Sequence, residues 1–315
     1  MKLSELVRLK RSVENWAPST YEFTVNQSLQ SLSDSVVDND AMTQQLKDSI
    51  HINREKINDS FADIRQSIKD YKQYIQEQIN ALEPQYVSLS KSTFQGSIND
   101  SPEYILNRRK ESQIFNSEEG KELFINRLGV YNSWQYPAIE IRPAFGEITE
   151  YLKGCTPLYL VDTHDDLFQE VKKLWNNIYQ RRLRYYTFDE SDTASLDTLP
   201  DNQIGLVCSV DYFNFKPIEI IESMLQQIYK KLRPGGVVMF TYNNCDLPFG
   251  VRNVENFYAC YTPHSQLAKT VENIGYEIIK SIDVQENISW MEIKKPGEIY
   301  TIRGGETLGE ILSFN

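Results

Sequence analysis

The chain has 315 residues, of which 40% are hydrophobic and 24% charged, and its net charge is −11. This is the composition of a globular protein with room for one large domain and a smaller one. An acidic chain repels phosphate backbones, which argues against general nucleic-acid binding. No stretch reaches the ~20 apolar residues of a membrane-spanning helix, so no membrane association is expected.

The first predicted element is a long helix within a helical region, residues 1–95. Residues 1–92 contain no glycine, and from Ile57 to Ile75 apolar residues recur at alternating steps of four and three. Such heptads favour a coiled coil that joins two or three copies of the chain, although the helix could also fold onto its own chain. Pro84 is expected to end the helix or to follow its last full turn.

Residues 96–136 are predicted to form a linker and a helical cap. The stretch 88–102, SLSKSTFQGSINDSP, is rich in Ser with Asn, Gly and Pro, which indicates a linker. Residues 103–136 are expected to be helical, most clearly in SEEGKELFINRLGVY.

From 137 to 295 strands and helices alternate. The predicted strands are AIEI, PLYLVDTH, LRYYTF, IGLVCSVDYFNF, VVMFTYNN, EIIKSIDV and ISWMEIKKPG. The predicted helices between them include GEITEYLKG, DDLFQEVKKLWNNIYQRR and YTPHSQLAKTVENIGY, the last with Thr262 as its cap. This alternation predicts an α/β fold, a doubly wound and mainly parallel sheet with helices on both faces. Residues 296–315 are expected to form a C-terminal tail.

The turn after the first of these strands contains the segment EIRPAFG, from Glu140 to Gly146. Glycine in such a turn lets the backbone approach a ligand, and the helix start that follows offers free N–H groups. An acid at the end of the second strand, here Asp162, can hold ribose hydroxyls.

These residues, together with IYKKLRPGGVVMFTYNN and YTPHSQLAKTVENIGYEIIKS, resemble in order and spacing the class I S-adenosylmethionine-dependent methyltransferases. The resemblance covers about 137–295 and implies a Rossmann-like fold and S-adenosylmethionine as cofactor. It implies a first motif acid-x-Gly-x-Gly-x-Gly, which is degenerate here because Arg142 and Ala144 replace two of the glycines. The cofactor-binding residues it implies are Glu140, Arg142, Ala144, Gly146, Asp162, Asp192 and Ser209. Asp189 is the alternative to Asp192, which fits the spacing better, as the acid that contacts the adenine. Asp192 could instead be a loop or capping acid, and Asp162 could instead cap the helix that follows it.

Arg142 is the most serious departure from this family. Its side chain could block the pocket, turn outward, or meet the cofactor carboxylate in a charge-assisted hydrogen bond. Pro143 biases Arg142 toward an extended backbone, and the methyl group of Ala144 is tolerated if its φ stays negative.

The end of the fourth strand lacks the acid–His pair of many small-molecule members, so the candidate catalytic residues are Asp211 and Asn214. The expected function is methyl transfer to an unidentified small molecule or protein. The alternative is a non-catalytic structural or assembly protein, a virion component for example, that uses a degenerate methyltransferase fold and a coiled-coil arm. The four scattered cysteines show no metal-site spacing and predict a reducing, cytoplasmic compartment.

Overall fold

The computed structural model describes residues 2–14, 18–34, 40–97, 101–111, 118–284 and 288–298. The chain forms two compact units, Met1–Pro84 and Gln85–Asn315, which are described separately below. The predicted boundary near residue 95 therefore differs from the division between these units. The tail beyond residue 298 lies outside the described residues.

The first unit is helical. It contains α1 (Leu3–Glu14), α2 (Pro18–Asp34) and most of α3 (Asp40–Ser97). Lys10 of α1 donates a hydrogen bond to Gln76 of α3 over 2.7 Å. Helix α2 contacts α3 through an ion pair between Glu22 and Arg65.

Helix α3 does not end at Pro84, and the expected linker at 88–102 is helical as far as Ser97. A proline inside a helix removes one backbone hydrogen bond and crowds the preceding turn. Within the second unit, contacts of the following turns favour continuation. The hydroxyl of Tyr86 donates to Glu255 over 2.8 Å, and Ser90 is buried and accepts a hydrogen bond from the backbone N–H of Tyr261. Tertiary packing thus overrides the local preference to stop.

The second unit is an α/β domain. Its helices are α4 (Pro102–Glu111), α5 (Glu118–Tyr131), α6 (Phe168–Leu174), α7 (Asn177–Gln180), α8 (Ile218–Lys231), α9 (Pro248–Glu255) and α10 (His264–Ile274). Its strands are β1 (Ala138–Ile141), β2 (Leu158–Asp162), β3 (Leu183–Thr187), β4 (Ile204–Ser209), β5 (Leu232–Tyr242), β6 (Glu277–Val284) and β7 (Ile288–Lys294).

The seven strands form one sheet in the order β3-β2-β1-β4-β5-β7-β6. Strands β1 to β5 are mutually parallel, and β7 runs antiparallel to both β5 and β6. This order, with the reversed seventh strand, is that of the class I methyltransferase fold, so the predicted fold class is confirmed. The strand order reverses between β1 and β4, where ligands bind in open α/β sheets.

Each face of the sheet has its own apolar core. One core contains Ile139 and Ile141 of β1 with residues of α8 and α10. The other contains Ala138 of β1 with Phe124 of α5 and Phe168 of α6. Successive residues of β1 therefore enter opposite cores, which is why the strand is apolar at nearly every position. The exception is Glu140, which is buried among apolar neighbours.

Three predicted helix features are wrong in detail. The segment GEITEYLKG forms only a 3-10 turn at Thr149–Leu152. The long helix expected after β2 is divided, because Asn176 interrupts it and caps α7 by accepting hydrogen bonds from two backbone N–H groups. Thr262 is buried and does not cap α10, whose second backbone N–H, that of Ser265, donates to Asp246 over 2.9 Å instead.

None of the described helices is both long enough and apolar enough to cross a membrane. Cys155, Cys208, Cys245 and Cys260 are all buried free thiols. Among the described ranges, no three His, Cys, Asp or Glu side chains gather as they would around a metal ion.

Candidate functional site

The turn after β1 keeps the backbone geometry of a glycine motif although two of its glycines are replaced. Arg142, Ala144 and Gly146 all have positive φ angles, of 60°, 48° and 79°. The expectation of an extended Arg142 is therefore wrong, and the negative φ that would make the methyl group of Ala144 easy to accommodate is not found. The N–H of Arg142 donates to the carbonyl of Val161 over 2.9 Å, and this bond continues the β1–β2 pairing. The turn thus holds two residues that carry a Cβ in the left-handed conformation, at an energetic cost.

Arg142 turns inward. Its Nε donates to Oδ1 of Asp162 over 2.9 Å, and its Nη2 donates to the hydroxyl of Thr163 over 3.3 Å. Its guanidinium lies 5.2 Å from the ring centre of Tyr212. Only 7% of the Arg142 residue is exposed. The side chain is therefore buried and held by Asp162, Thr163 and Tyr212.

Asp162, at the end of β2, is the acid that the resemblance assigns to a ribose. The residue is 0% exposed. Its Oδ1 accepts from Arg142 and from the backbone N–H of Thr163, the latter over 2.7 Å. Its Oδ2 is buried and has no hydrogen-bond partner among the described residues. Burial raises the pKa of the Asp162 carboxyl, and the neighbouring guanidinium opposes this effect.

A second ion pair extends this buried charged group. Lys216 contacts Glu190 at 2.5 Å between Nζ and Oε1, and the hydroxyl of Tyr212 donates to the same Oε1 over 2.9 Å. The Lys216 ammonium lies 5.0 Å from the ring centre of Tyr212. The ring of Tyr212 therefore lies near two cations, Arg142 and Lys216. Its hydroxyl donates to Glu190, the acid of the second pair.

Gly146, the one retained glycine of the motif, packs against its own chain. A Cβ built at this position would lie 2.6 Å from Cδ1 of Leu174 and 3.7 Å from Cγ2 of Val171. The positive φ and the close approach of α6 together account for glycine here. Its retention therefore needs no ligand as an explanation.

Glu140 lies beneath the turn. Burial raises the pKa of its carboxyl to about 8, and Thr149 partly opposes the rise. Its Oε2 has no hydrogen-bond partner among the described residues. This position agrees with an organising role in the turn rather than with direct contact to a ligand.

The two candidate catalytic residues lie close together at the end of β4. Thr241 links them, because its hydroxyl accepts from the N–H of Asp211 over 2.7 Å and donates to Oδ1 of Asn214 over 2.9 Å. The Asp211 carboxylate lies 3.5 Å from a guanidinium nitrogen of Arg109, a residue of α4 that also reaches Glu147 at 3.5 Å. Both candidates are thus engaged by groups of the same chain.

Two further predicted residues lie apart from this group. Asp192 is exposed, and its carboxylate accepts from the backbone N–H of Ala194 over 2.9 Å, which matches the alternative interpretation as a loop acid. Ser209 is fully buried beside Ile141, and its hydroxyl has no partner among the described residues.

A cleft of about 400 Å³ lies beyond the ends of β2 and β3, next to the Arg142–Asp162 pair. Its walls include Phe94, Arg142, His164, Phe188, Glu190 and Lys216. The sequence analysis did not single out Arg109, Glu190 or Lys216. The cluster NRRK contains Arg109, but nothing local in the sequence indicates that this arginine is buried.

As arranged, these residues do not fit S-adenosylmethionine. The guanidinium of Arg142 lies against Asp162 and lines the adjoining cleft, and Oδ1 of Asp162 is already bonded. A sulfonium cofactor placed here would bring a positive charge toward Arg142, in a buried setting where such repulsion is poorly screened. The occupied Oδ1 of Asp162 and the charge of Arg142 therefore oppose this ligand while Arg142 stays in place.

Comparison with known proteins finds methyltransferases among the solved structures. A SAM-dependent methyltransferase from Aquifex aeolicus is 11% identical over 62% of this chain and 98% of its own, with a TM-score of 0.45. The N-methyltransferase NodS from Bradyrhizobium japonicum is 14% identical over 57% and 96%, with a TM-score of 0.43. An S-adenosylmethionine-dependent methyltransferase from Mesorhizobium loti is 9% identical over 54% and 95%, with a TM-score of 0.45.

No protein-family model matches the sequence, and no curated protein matches it either. These solved structures are too distant to carry the fold assignment, which depends on the strand order of this chain itself.

Proposed function

We propose that this chain is a non-catalytic structural or assembly protein that retains a methyltransferase fold. The observation that carries the proposal is the inward position of Arg142, which pairs with Asp162 in the place where the fold would hold its cofactor. A buried ion pair is difficult to open, since removal of one partner leaves an uncompensated charge at a typical cost of about 3–5 kcal/mol. A ligand that separated Arg142 from Asp162 would have to offset that cost before its own contacts gave any net binding free energy.

The region around Asp211 supports the same proposal. In an active enzyme a general base has to reach the proton that it removes. The Asp211 carboxylate faces Arg109 instead, and Asn214 accepts from Thr241. The α/β unit then serves as a rigid body, and α3 supplies a surface for association.

S-adenosylmethionine-dependent methyl transfer is the second candidate. The unpartnered Oδ2 of Asp162 and the adjoining cleft favour it, because a buried oxygen without a partner is suited to a ligand hydroxyl. This function would require Arg142 to leave Asp162 when the cofactor binds. The acceptor would be a small molecule or a protein, as the resemblance implies.

Calorimetric titration of the purified protein with S-adenosylmethionine and S-adenosylhomocysteine separates the two candidates. The non-catalytic proposal predicts no binding heat and no rise in melting temperature at millimolar ligand. Binding in the micromolar range, about −8 kcal/mol, would overturn it in favour of methyl transfer. S-adenosylhomocysteine, the product that lacks the sulfonium charge, distinguishes a blocked pocket from repulsion of the sulfonium alone.

A further inference from the structure

Within the second unit, helix α4 lies across the carboxyl ends of β1 and β4, where the strand order of the sheet reverses. Its Arg109 reaches Glu147, just after the β1 turn, and Asp211, just after β4, at 3.5 Å each. Its Lys110 ammonium lies 5.2 Å from the ring centre of Phe145, in the turn itself. Open α/β sheets bind ligands in the crevice at this point. A helix of the same chain therefore covers the crevice.

Helix α4 is buried along one narrow face. Among its described side chains, the buried ones are those of Ile105 and Arg109, and each of these residues is 7% exposed. They are four residues apart and so lie on the same face of the helix. Ile105 lines the cleft and belongs to neither apolar core of the sheet. Tyr104 is 53% exposed. The helix is thus buried through one aliphatic side chain and one cation.

The ion pairs of that cation are buried but long. The side chains of Arg109 and Asp211 are only 5% and 6% exposed. A charge-assisted hydrogen bond between nitrogen and oxygen usually measures about 2.7–2.9 Å, which is shorter than the 3.5 Å found here. The Arg142–Asp162 pair of the same site has a bond of 2.9 Å. Arg109 therefore holds α4 by charge more than by close hydrogen bonding.

The end of α3, on the same side of the sheet, is anchored more firmly. The hydroxyl of Tyr86 donates to Glu255 over 2.8 Å. Ser90 is 3% exposed and accepts from the backbone N–H of Tyr261. Segments with few buried contacts open locally at a small fraction of the free energy of unfolding. Opening of α4 alone is therefore the least costly change at this edge of the sheet.

We propose that α4 is a lid that opens and closes over the crevice between β1 and β4, with Arg109 as its latch. When α4 is open, the cleft extends from Arg142 to the carboxylate of Asp211. The inference goes beyond the proposed function, because it concerns access to the crevice. Arg142 and Asp162 lie on the β1 turn and on β2, so they stay paired whether α4 is open or closed.

A cysteine placed under the lid measures its opening. In the full chain with Ile105→Cys, the rate of reaction with iodoacetamide is followed by mass at increasing urea below the unfolding transition. The reference is Leu152→Cys, a fully buried position of the 3-10 turn that belongs to an apolar core. The native cysteines are buried and add only a slow background.

The lid predicts that the cysteine at 105 reacts at least about tenfold faster than the one at 152, because only local opening is needed. Its rate should also depend little on urea, since opening of α4 exposes little new surface.

The latch is tested by Arg109→Met on the Ile105→Cys background. The closed state then holds Asp211 without the cation that faces it, whereas opening lets water reach the carboxylate, so the reaction should be about tenfold faster or more. The matched control is Lys110→Met, which removes an exposed cation of the same helix and should change the rate by less than about twofold. Arg109→Met on the Leu152→Cys background should leave the rate unchanged, which separates local opening from general destabilisation.

Equal rates at the two cysteines, with the same rise in urea, would overturn the lid, because α4 would then open only with the rest of the unit. Equal effects of Arg109→Met and Lys110→Met would overturn the latch, as would an equal acceleration at Leu152→Cys. All these rates are measured without ligand. Calorimetric binding of S-adenosylhomocysteine would contradict the proposed function and leave them as they are, so the two failures can be told apart.

Discussion

At the scale of single residues, Arg142 decides how the site is interpreted. The sequence predicted its importance, since it replaces a motif glycine, but left its direction open. That direction depends on Asp162 and Tyr212, which are distant in sequence and meet Arg142 only after the sheet has formed. The motif positions could thus be predicted from the sequence, and the contacts of their side chains could not.

Glu140 gives a testable pH dependence at this scale. Its pKa is about 8 in the folded protein and about 4.5 when exposed, so the unfolded chain releases this proton first. The contribution of the group to stability is therefore present below about pH 4.5 and is lost as the pH rises toward 8. Between pH 5 and 8 the free energy of unfolding of the wild type should fall by up to about 4 kcal/mol more than that of Glu140→Gln, at ~1.4 kcal/mol per pKa unit.

Urea unfolding at pH 5, 6.5 and 8 measures this difference. Glu150→Gln is the matched control, because Glu150 lies in the 3-10 turn Thr149–Leu152 with an exposed side chain and should keep the wild-type pH dependence. Equal losses in wild type and Glu140→Gln would show that the Glu140 carboxyl is not kept neutral by burial.

At the scale of elements, the strands predicted from the sequence agree well with the structure, and the predicted helix ends do not. Apolar runs predicted the central strands most clearly, because β1, β4 and β5 are buried along almost their whole length. The continuation of α3 past Pro84 was missed, since it depends on Tyr86 and Ser90 packing against residues from the far end of the chain. Asn176, a good helix-capping residue, indicates locally that the helix is divided between α6 and α7. The spacing of apolar residues alone does not show this division.

A buried ion pair joins α5 to β7 and predicts a large mutational effect. Arg127 donates from Nε to Oε1 of Glu292 over 2.9 Å, and the hydroxyl of Tyr131 donates to Oε2 of Glu292 over 2.6 Å. Arg127→Leu leaves the Glu292 carboxylate, which is 0% exposed, without its cation. The expected loss of unfolding free energy is about 3–5 kcal/mol.

The double variant Arg127→Leu with Glu292→Leu should recover much of that loss, because no unpaired charge then remains. Lys173→Ala, which breaks an exposed pair with Glu170, should change stability by less than about 1 kcal/mol. Chemical unfolding of the four proteins measures all of these values. A single variant as stable as the wild type would contradict the role assigned to the pair.

At the scale of the whole molecule, alternating strands and helices were enough to predict the fold class, and the strand order confirms it. The heptads likewise predicted a long helix, which α3 is. Function was less accessible from the sequence, because ordered motifs specify a sheet and its turns more directly than they specify an open pocket. Coiled-coil association and location in the cytoplasm stay predictions.

The central claim is that Arg142 closes the cofactor position. Its most direct test is a calorimetric titration of S-adenosylhomocysteine into the wild type, Arg142→Gly and Arg142→Lys. Glycine removes the side chain and relieves the left-handed backbone strain, whereas lysine keeps a cation in the turn. The account predicts measurable binding by Arg142→Gly and none by the other two proteins. Micromolar binding by the wild type would contradict it and would point to a working methyltransferase site.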